Sequence, residues 1–310
     1  MEFFRRKTSF PFMHTRKVWY ALSIVLVLVS IGSLMFRGLN LGVDFTGGVT
    51  VQVSFPTDAK RDAVSQALMH AGYSDAQVTM FGSSRVIAIR LPPTKLSSEV
   101  MRTRIEGILH GVDPGAQVQQ VQDIGPEVGG ELEKSAVQAL IATLLLIFGY
   151  IAVRFHTWRL SFGAILAVLH DPILVLGAFS ITRTTFDLTV VAAMLAVIGY
   201  SLNDTVVVFD RIRERFHLTR RLAPAEVLDQ SINQTLSRTI MTKVVTLLVV
   251  VALYVLGGPV LRGFSLALII GIVAGTYSSI YISSAAALDC GLRSEHLQPA
   301  ATKRPVDNLP

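Results

Sequence analysis

Hydrophobic positions along this chain fall in long uninterrupted runs, and most charged residues lie in the stretches between them. Six runs can cross a bilayer core of about 30 Å as helices, which takes about 20 residues each. They are Val18–Met35, Ser135–Val153, Leu160–Ile181, Leu188–Phe209, Val244–Leu261 and Phe264–Leu288. The segment from about Arg37 to Lys134 has a different pattern. Val49, Val51, Val53 and Phe55 alternate with Thr50, Gln52 and Ser54, the mark of a half-buried strand. Asp58–Ala71 carries Ala63, Val64, Ala67 and Leu68 at helical spacing and stops at Gly72. Gln77–Phe81 and Arg85–Leu91 predict a strand pair turning at Gly82-Ser83-Ser84. Ser97 or Ser98 caps a second helix through His110, ended by Gly111, and Ala116–Val121 predicts a last strand. The order β-α-β-β-α-β is that of the ferredoxin-like split motif. The predicted fold is a polytopic α-helical membrane protein with six transmembrane helices and one small α+β domain.

Composition agrees with this pattern. The chain has 310 residues, 51% hydrophobic and 16% charged, with mean hydropathy +0.52. A soluble domain carries about a quarter charged residues, which argues against an ordinary cytosolic enzyme. The net charge of +6 would suit a nucleic-acid binder, but the basic residues flank the apolar runs, where membrane orientation explains them. No nucleic-acid partner is expected. The basic stretches are Arg5, Arg6, Lys7, Arg16 and Lys17, the Arg154–Arg159 and Arg211–Arg221 loops, and Arg293, Lys303 and Arg304. The opposite short loops hold only Arg183 and Arg262. By the positive-inside rule both termini are cytoplasmic. The division is then 1–17 cytoplasmic, 18–36 the first helix, 37–134 the far-side domain, 135–290 helices two to six, and 291–310 a cytoplasmic tail. The first run exceeds the ~7–15 apolar residues of a signal peptide and lacks a clear A-x-A site, so it reads as a retained anchor. Cys290 is the single cysteine, which excludes an intrachain disulfide and any Cys-based metal site. No metal, cofactor or catalytic residue is expected, since the chain holds no Walker loop, HExxH or GxSxG.

Ionisable groups inside a bilayer are costly and are therefore functional candidates. Asp204 in the fourth run is preceded one turn earlier by Tyr200 and directly by Asn203. It can bond a neighbouring helix, or it can load and release protons from a low-dielectric site. Arg238 and Lys243 stand near the start of the fifth run, each as a snorkelling cation or as a partner for Asp204. His170-Asp171-Pro172 interrupts the third run, either to re-satisfy carbonyls freed by the proline or as part of a polar path. In the sixth run Ala267, Gly271, Gly275, Ser279, Ser283 and Ala287 recur every fourth residue, a stripe for close helix packing or for sliding.

Several stretches resemble a known family. Gly42-Val43-Asp44-Phe45-Thr46-Gly47-Gly48 looks like the glycine signature of the SecD/SecF export proteins. Gly199-Tyr200-Ser201-Leu202-Asn203-Asp204 through Glu214 resembles the SecF branch, as do Leu169-His170-Asp171, Gln234–Thr239 and Gly275–Tyr281. The similarity runs over about residues 15–290. It implies a non-enzymatic subunit of the bacterial Sec translocase, related to the proton-driven RND superfamily and seated in the inner membrane with a periplasmic α+β domain. The implied partners are SecD, the SecYEG channel, YajC, YidC and, indirectly, SecA, with preproteins as substrates and membrane lipids around it. The family's proton-path aspartate and arginine fall on Asp204 and Arg238. The chain departs from the family at Arg215 and at Thr242-Lys243-Val244, where Lys243 adds a second cation. Asp44, Gly47 and Gly48 form a turn or a hinge. An RND-type small-molecule exporter subunit is the alternative, and a passive membrane scaffold a third reading.

Overall fold

The computed structural model describes residues 8–94, 96–155, 157–219 and 222–297. Arg5, Arg6, Lys7, Arg221, Lys303 and Arg304, used above for orientation, lie outside the described residues. In chain order the elements are α1 (Arg16–Arg37), β1 (Asn40–Leu41), α2 (Val43–Thr46), β2 (Gly48–Ser54), α3 (Arg61–His70), β3 (Gln77–Met80), β4 (Val86–Leu91), α4 (Ser98–His110) and β5 (Gln117–Ile124). They continue as α5 (Pro126–Phe155), α6 (Trp158–Thr182), β6 (Thr185–Phe186), α7 (Leu188–Leu218), α8 (Pro224–Leu256), α9 (Gly258–Tyr277), a π turn (Ser278–Ile282) and α10 (Ser283–Asp289). Six helical spans among the described residues are long and apolar enough to cross a membrane, the last formed by α9, the π turn and α10 together.

The small domain forms because each strand has one apolar face. Val49, Val51, Val53, Ile87, Ile89 and Val118 pack against Val64 and Leu68 of α3 and Met101, Ile105 and Leu109 of α4. The sheet order is β3-β4-β2-β5, antiparallel throughout, as a split β-α-β-β-α-β motif requires. Ser97 caps α4, its hydroxyl oxygen accepting from the Val100 N–H. Gly48 opens β2 at φ +116°, and a Cβ there would stand 2.6 Å from the Leu91 carbonyl oxygen on β4. Neither the backbone angle nor the neighbouring strand tolerates a side chain. Gly48→Ala is expected to destabilise the domain by at least about 1–3 kcal/mol, read as faster proteolysis of residues 49–124. Gly130→Ala, a helical position with open space around it, is the control and should leave the digest unchanged.

In the helical part α6, α7 and α9 form the inner layer, while α1, α5 and α8 turn most of their apolar side chains outward. That outward apolar surface suits lipid. The small-residue stripe works as packing: a Cβ on Gly271 would overlap Val197 of α7 at 2.4 Å. Ser279, on the same stripe, is fully buried and donates to the Thr276 carbonyl at 3.2 Å.

The helices depart from the hydropathy pattern most in the fifth and sixth runs. The fifth apolar run begins at Val244, yet α8 begins at Pro224, because Val227, Leu228, Ile232 and Leu236 bury an amphipathic front half in the helical core. The sixth is not one helix. The Ser283 N–H bonds the Ser278 carbonyl, five residues back, and makes a π turn between α9 and α10. A one-residue irregularity of this kind leaves composition and periodicity almost unchanged.

Candidate functional site within the helices

Helix α7 carries polar residues on two sides, and each side meets a different helix. Toward α8, the Asp204 carboxylate Oδ2 lies 2.6 Å from the Lys243 Nζ. Both residues are buried, at 6% and 4% exposure. The ammonium also sits 4.1 Å above the Tyr200 ring centroid, one turn from Asp204. The Tyr200 hydroxyl holds that ring in place, donating to the Thr242 carbonyl at 3.0 Å and lying 2.8 Å from the Thr246 hydroxyl. A buried ion pair gains from its low-dielectric surroundings but pays heavily in desolvation. It is therefore a sensitive place to add or remove a proton.

The direct cation differs from the one the sequence favoured. Lys243, and not Arg238, reaches Asp204. Both sit well inside α8, because that helix starts at Pro224. Five residues separate them, a rotation of about 140° on an α-helix, so only one can face α7. Arg238 is exposed on the outside of the bundle, as are Thr242 on the same helix and Asn203 on α7. Asn203 therefore does not join the buried pair beside it. Nor does α7 end near Asp210: it continues to Leu218, and Asp210 instead pairs with Arg154 at 2.5 Å.

Toward α6 and α9, Asp171 is fully buried. Its Oδ1 lies 3.0 Å from the His170 Nδ1, and its Oδ2 accepts from Ser201 of α7 at 2.5 Å and from Ser278 of the π turn at 3.0 Å. A Cβ on Gly275 would stand 2.8 Å from the Ser201 hydroxyl and 3.2 Å from Asp171 Oδ2. The glycine thus keeps room for the hydrogen bond, a more specific reason than helix contact. Pro172 is taken inside a continuous α6. Ser201 and Ser278 could not be singled out from the sequence, because serines are common in buried helices and only the π turn aims Ser278 inward.

The glycine signature lies at the other end of α7. Asp44 Oδ1 accepts from the Gln122 side chain of β5 at 2.7 Å, and Oδ2 accepts from the Leu188 N–H, the first residue of α7, at 3.0 Å. One carboxylate thus joins the sheet to the helix that holds Asp204. Beside it β1 and β6 pair in parallel. Arg90 of β4 bonds the Asn40 side chain, the Leu41 carbonyl and the Thr185 hydroxyl. Burial pushes the Arg90 guanidinium below its ordinary range, opposed by the Asp187 charge. Asp187 caps α7, accepting from the Val190 N–H. Burial raises its carboxyl, and the Asp44 charge raises it further, against hydrogen bonds from Thr189 and Val190 that lower it. Gly47 has φ +68° and closes α2, so Gly47 and Gly48 make the turn between α2 and β2.

This arrangement can be set beside known proteins. Residues 104–293 match the family described as "Protein export membrane protein SecD/SecF, C-terminal", and residues 32–57 match the SecD/SecF GG motif. The chain belongs to the SecD/SecF family. It is 44% identical over 307 residues to the protein translocase subunit SecF of Haemophilus influenzae, covering 98% of this chain and 94% of that one. With SecF of Escherichia coli O157:H7 it shares 40% identity over 307 residues, covering 95% of each chain. The crystal structure of SecDF, a translocon-associated membrane protein from Thermus thermophilus, superposes with a TM-score of 0.83 at 39% identity. That match covers 91% of this chain but only 39% of the SecDF chain. Within this SecD/SecF member, the matched C-terminal region holds Asp171, Asp204 and Lys243, and the GG motif holds Asp44.

Proposed function

We propose that this chain is a SecF-like subunit of the bacterial Sec translocase that uses the proton motive force to promote preprotein translocation. The observation that carries the reading is one continuous helix. Helix α7 bears a buried acid–base pair at Asp204 and is bonded through Asp44 to the α+β sheet at its first residue. The two points are sixteen residues apart, about 24 Å of helix rise. When Asp204 is ionised, Lys243 neutralises it and α7 and α8 are drawn together. A proton on Asp204 ends that attraction and leaves the ammonium uncompensated over Tyr200, so the two helices separate. Arg238, in the family's proton-path position, repels Lys243 in that state and resets the pair. The displacement of α7 is delivered through Asp44 and Gln122 to β5. One charge crossing the membrane is worth about 2.3 kcal/mol per 100 mV, enough for a domain movement of modest cost.

Arg238, Thr242 and Asn203 face outward along the spans, where polar groups against lipid are costly. A second membrane half, SecD, covers that face in this reading and corresponds to the part of the SecDF chain that this one does not span. The Sec context adds the SecYEG channel, SecA, YajC and YidC as neighbours, with both termini cytoplasmic and the α+β domain periplasmic.

The test is preprotein import into inverted inner-membrane vesicles, with and without an imposed proton gradient. Vesicles lacking this chain should lose the gradient-dependent gain. Asp44→Ala should lose most of it while Asp204 and Lys243 remain in place. An equal gain with and without the chain would remove it from proton-driven export.

A further inference from the structure

The His170–Asp171 cluster is not used by the mechanism above, and its geometry points to a second chemistry. His170 is 95% buried, at 5% exposure, and Asp171 is fully buried. Asp171 has polar partners on both oxygens: the imidazole Nδ1 lies 3.0 Å from Oδ1, and two serine hydroxyls donate to Oδ2. That is the surrounding of an ionised carboxylate. Holding the proton on Nδ1 leaves the lone pair of His170 on Nε2, and Nε2 is buried with no hydrogen-bond partner among the described residues. An unpaired polar nitrogen in an apolar interior is costly.

The charge balance is equally uneven. Neutral His170 with ionised Asp171 carries net −1. Among the described residues no lysine or arginine forms an ion pair with it. The groups around it are weak: the Tyr277 ring of α9 lies 5.6 Å from the imidazole, with its hydroxyl turned to the Trp19 carbonyl of α1. From α7 come Ser201 and, one turn on, Asp204, already held by Lys243. The apolar stretch of α5, 135–153, brings no charged group, and Asp289 of α10 is paired with Arg16. One proton added to Nε2 turns the cluster into a neutral imidazolium–carboxylate pair.

We propose that His170 Nε2 is a second proton-binding site, separate from Asp204, and that Asp171 reports its occupancy to α7 and the π turn through Ser201 and Ser278. The step is a proton transfer alone: H⁺ from solvent forms the Nε2–H bond, no other bond breaks, and the reverse returns it. An added positive charge weakens the pull of Asp171 on the two hydroxyls, so the bond holding α7 three residues before Asp204 loosens as the site fills. The purpose of this site rests on the proton-driven reading, but its binding of a proton does not.

The decisive measurement uses the full chain with its six other histidines replaced by glutamine, labelled with ¹⁵N-histidine, assembled with its unlabelled partner in lipid vesicles. Solid-state ¹⁵N spectra should show the Nε2 resonance passing from the unprotonated to the protonated position as the pH is lowered. An Nε2 signal that does not move with pH overturns the proposal. In the otherwise native chain, His170→Asn keeps a donor at the Nδ1 position and removes the titrating nitrogen. It should assemble at wild-type yield yet lose at least tenfold in gradient-driven import, with a flattened pH profile. A wild-type rate and profile overturns the proposal too. Repeating the spectra in Asp204→Asn separates the two readings. Titration with import intact would sink the Asp204 reading and leave this one, whereas a silent Nε2 with import lost would do the reverse.

Discussion

Asp204→Asn is expected to abolish the gradient-dependent part of preprotein import while leaving the protein assembled in the membrane. The amide has nearly the volume of the carboxyl, and its oxygen still accepts from Lys243 at the position Oδ2 occupies, 2.6 Å from Nζ. What it cannot do is exchange a proton. The cost to stability is that of weakening one buried charged contact, about 1–3 kcal/mol, and should appear as a lower midpoint of thermal unfolding in detergent. Import without a gradient, driven by other components, should be unchanged. Gradient-dependent import that survives the substitution at its full rate would take Asp204 out of the mechanism.

Lys243→Met should have the larger effect on stability. Methionine fills much the same space but leaves Asp204 facing an apolar wall and the Tyr200 ring. Breaking a buried ion pair by removing one partner costs about 3–5 kcal/mol, because an uncompensated charge stays behind. Removing both partners is far milder. The double variant Asp204→Asn/Lys243→Met is therefore expected to be more stable than Lys243→Met alone, with a coupling energy of about 1–3 kcal/mol in the cycle, and still inactive in gradient-driven import. Arg238→Met should cost little in stability, since Arg238 is exposed. If Arg238→Met were the more destabilising change, the pairing of Asp204 with Lys243 would be the wrong account of this site.

The elements of the small domain were legible because both periodicities are clean there. Alternation at Val49, Val51 and Val53 marks a strand with one dry face, and the glycines at 72, 82 and 111 stop elements where they must stop. Asp204 was legible for a different reason: a carboxylate is conspicuous in an apolar run. Its partner was not. Arg238 and Lys243 are equally basic, and which one meets α7 depends on where α8 begins and on its rotation. The buried front half of α8, with Val227, Leu228 and Ile232 at helical spacing, falls below the hydropathy of a membrane span. The span was therefore placed twenty residues late, and both cations were set just before its start. Asp44 was recognised as part of a glycine signature, but its two partners, Gln122 and the Leu188 N–H, are 78 and 144 residues away along the chain.

By itself the sequence determined six membrane crossings, one ferredoxin-like domain between the first and second, and the buried carboxylates, since these follow from local composition and period. Only the tertiary structure decided that Lys243 holds Asp204, that Asp171 gathers His170, Ser201 and Ser278, and that Asp44 ties the sheet to α7. The physical reason is that a partner is chosen by helix rotation and by single-residue irregularities such as the Ser278–Ile282 π turn. Rotation changes by about 100° per residue, while the hydrophobic pattern that reveals a membrane helix barely changes at all.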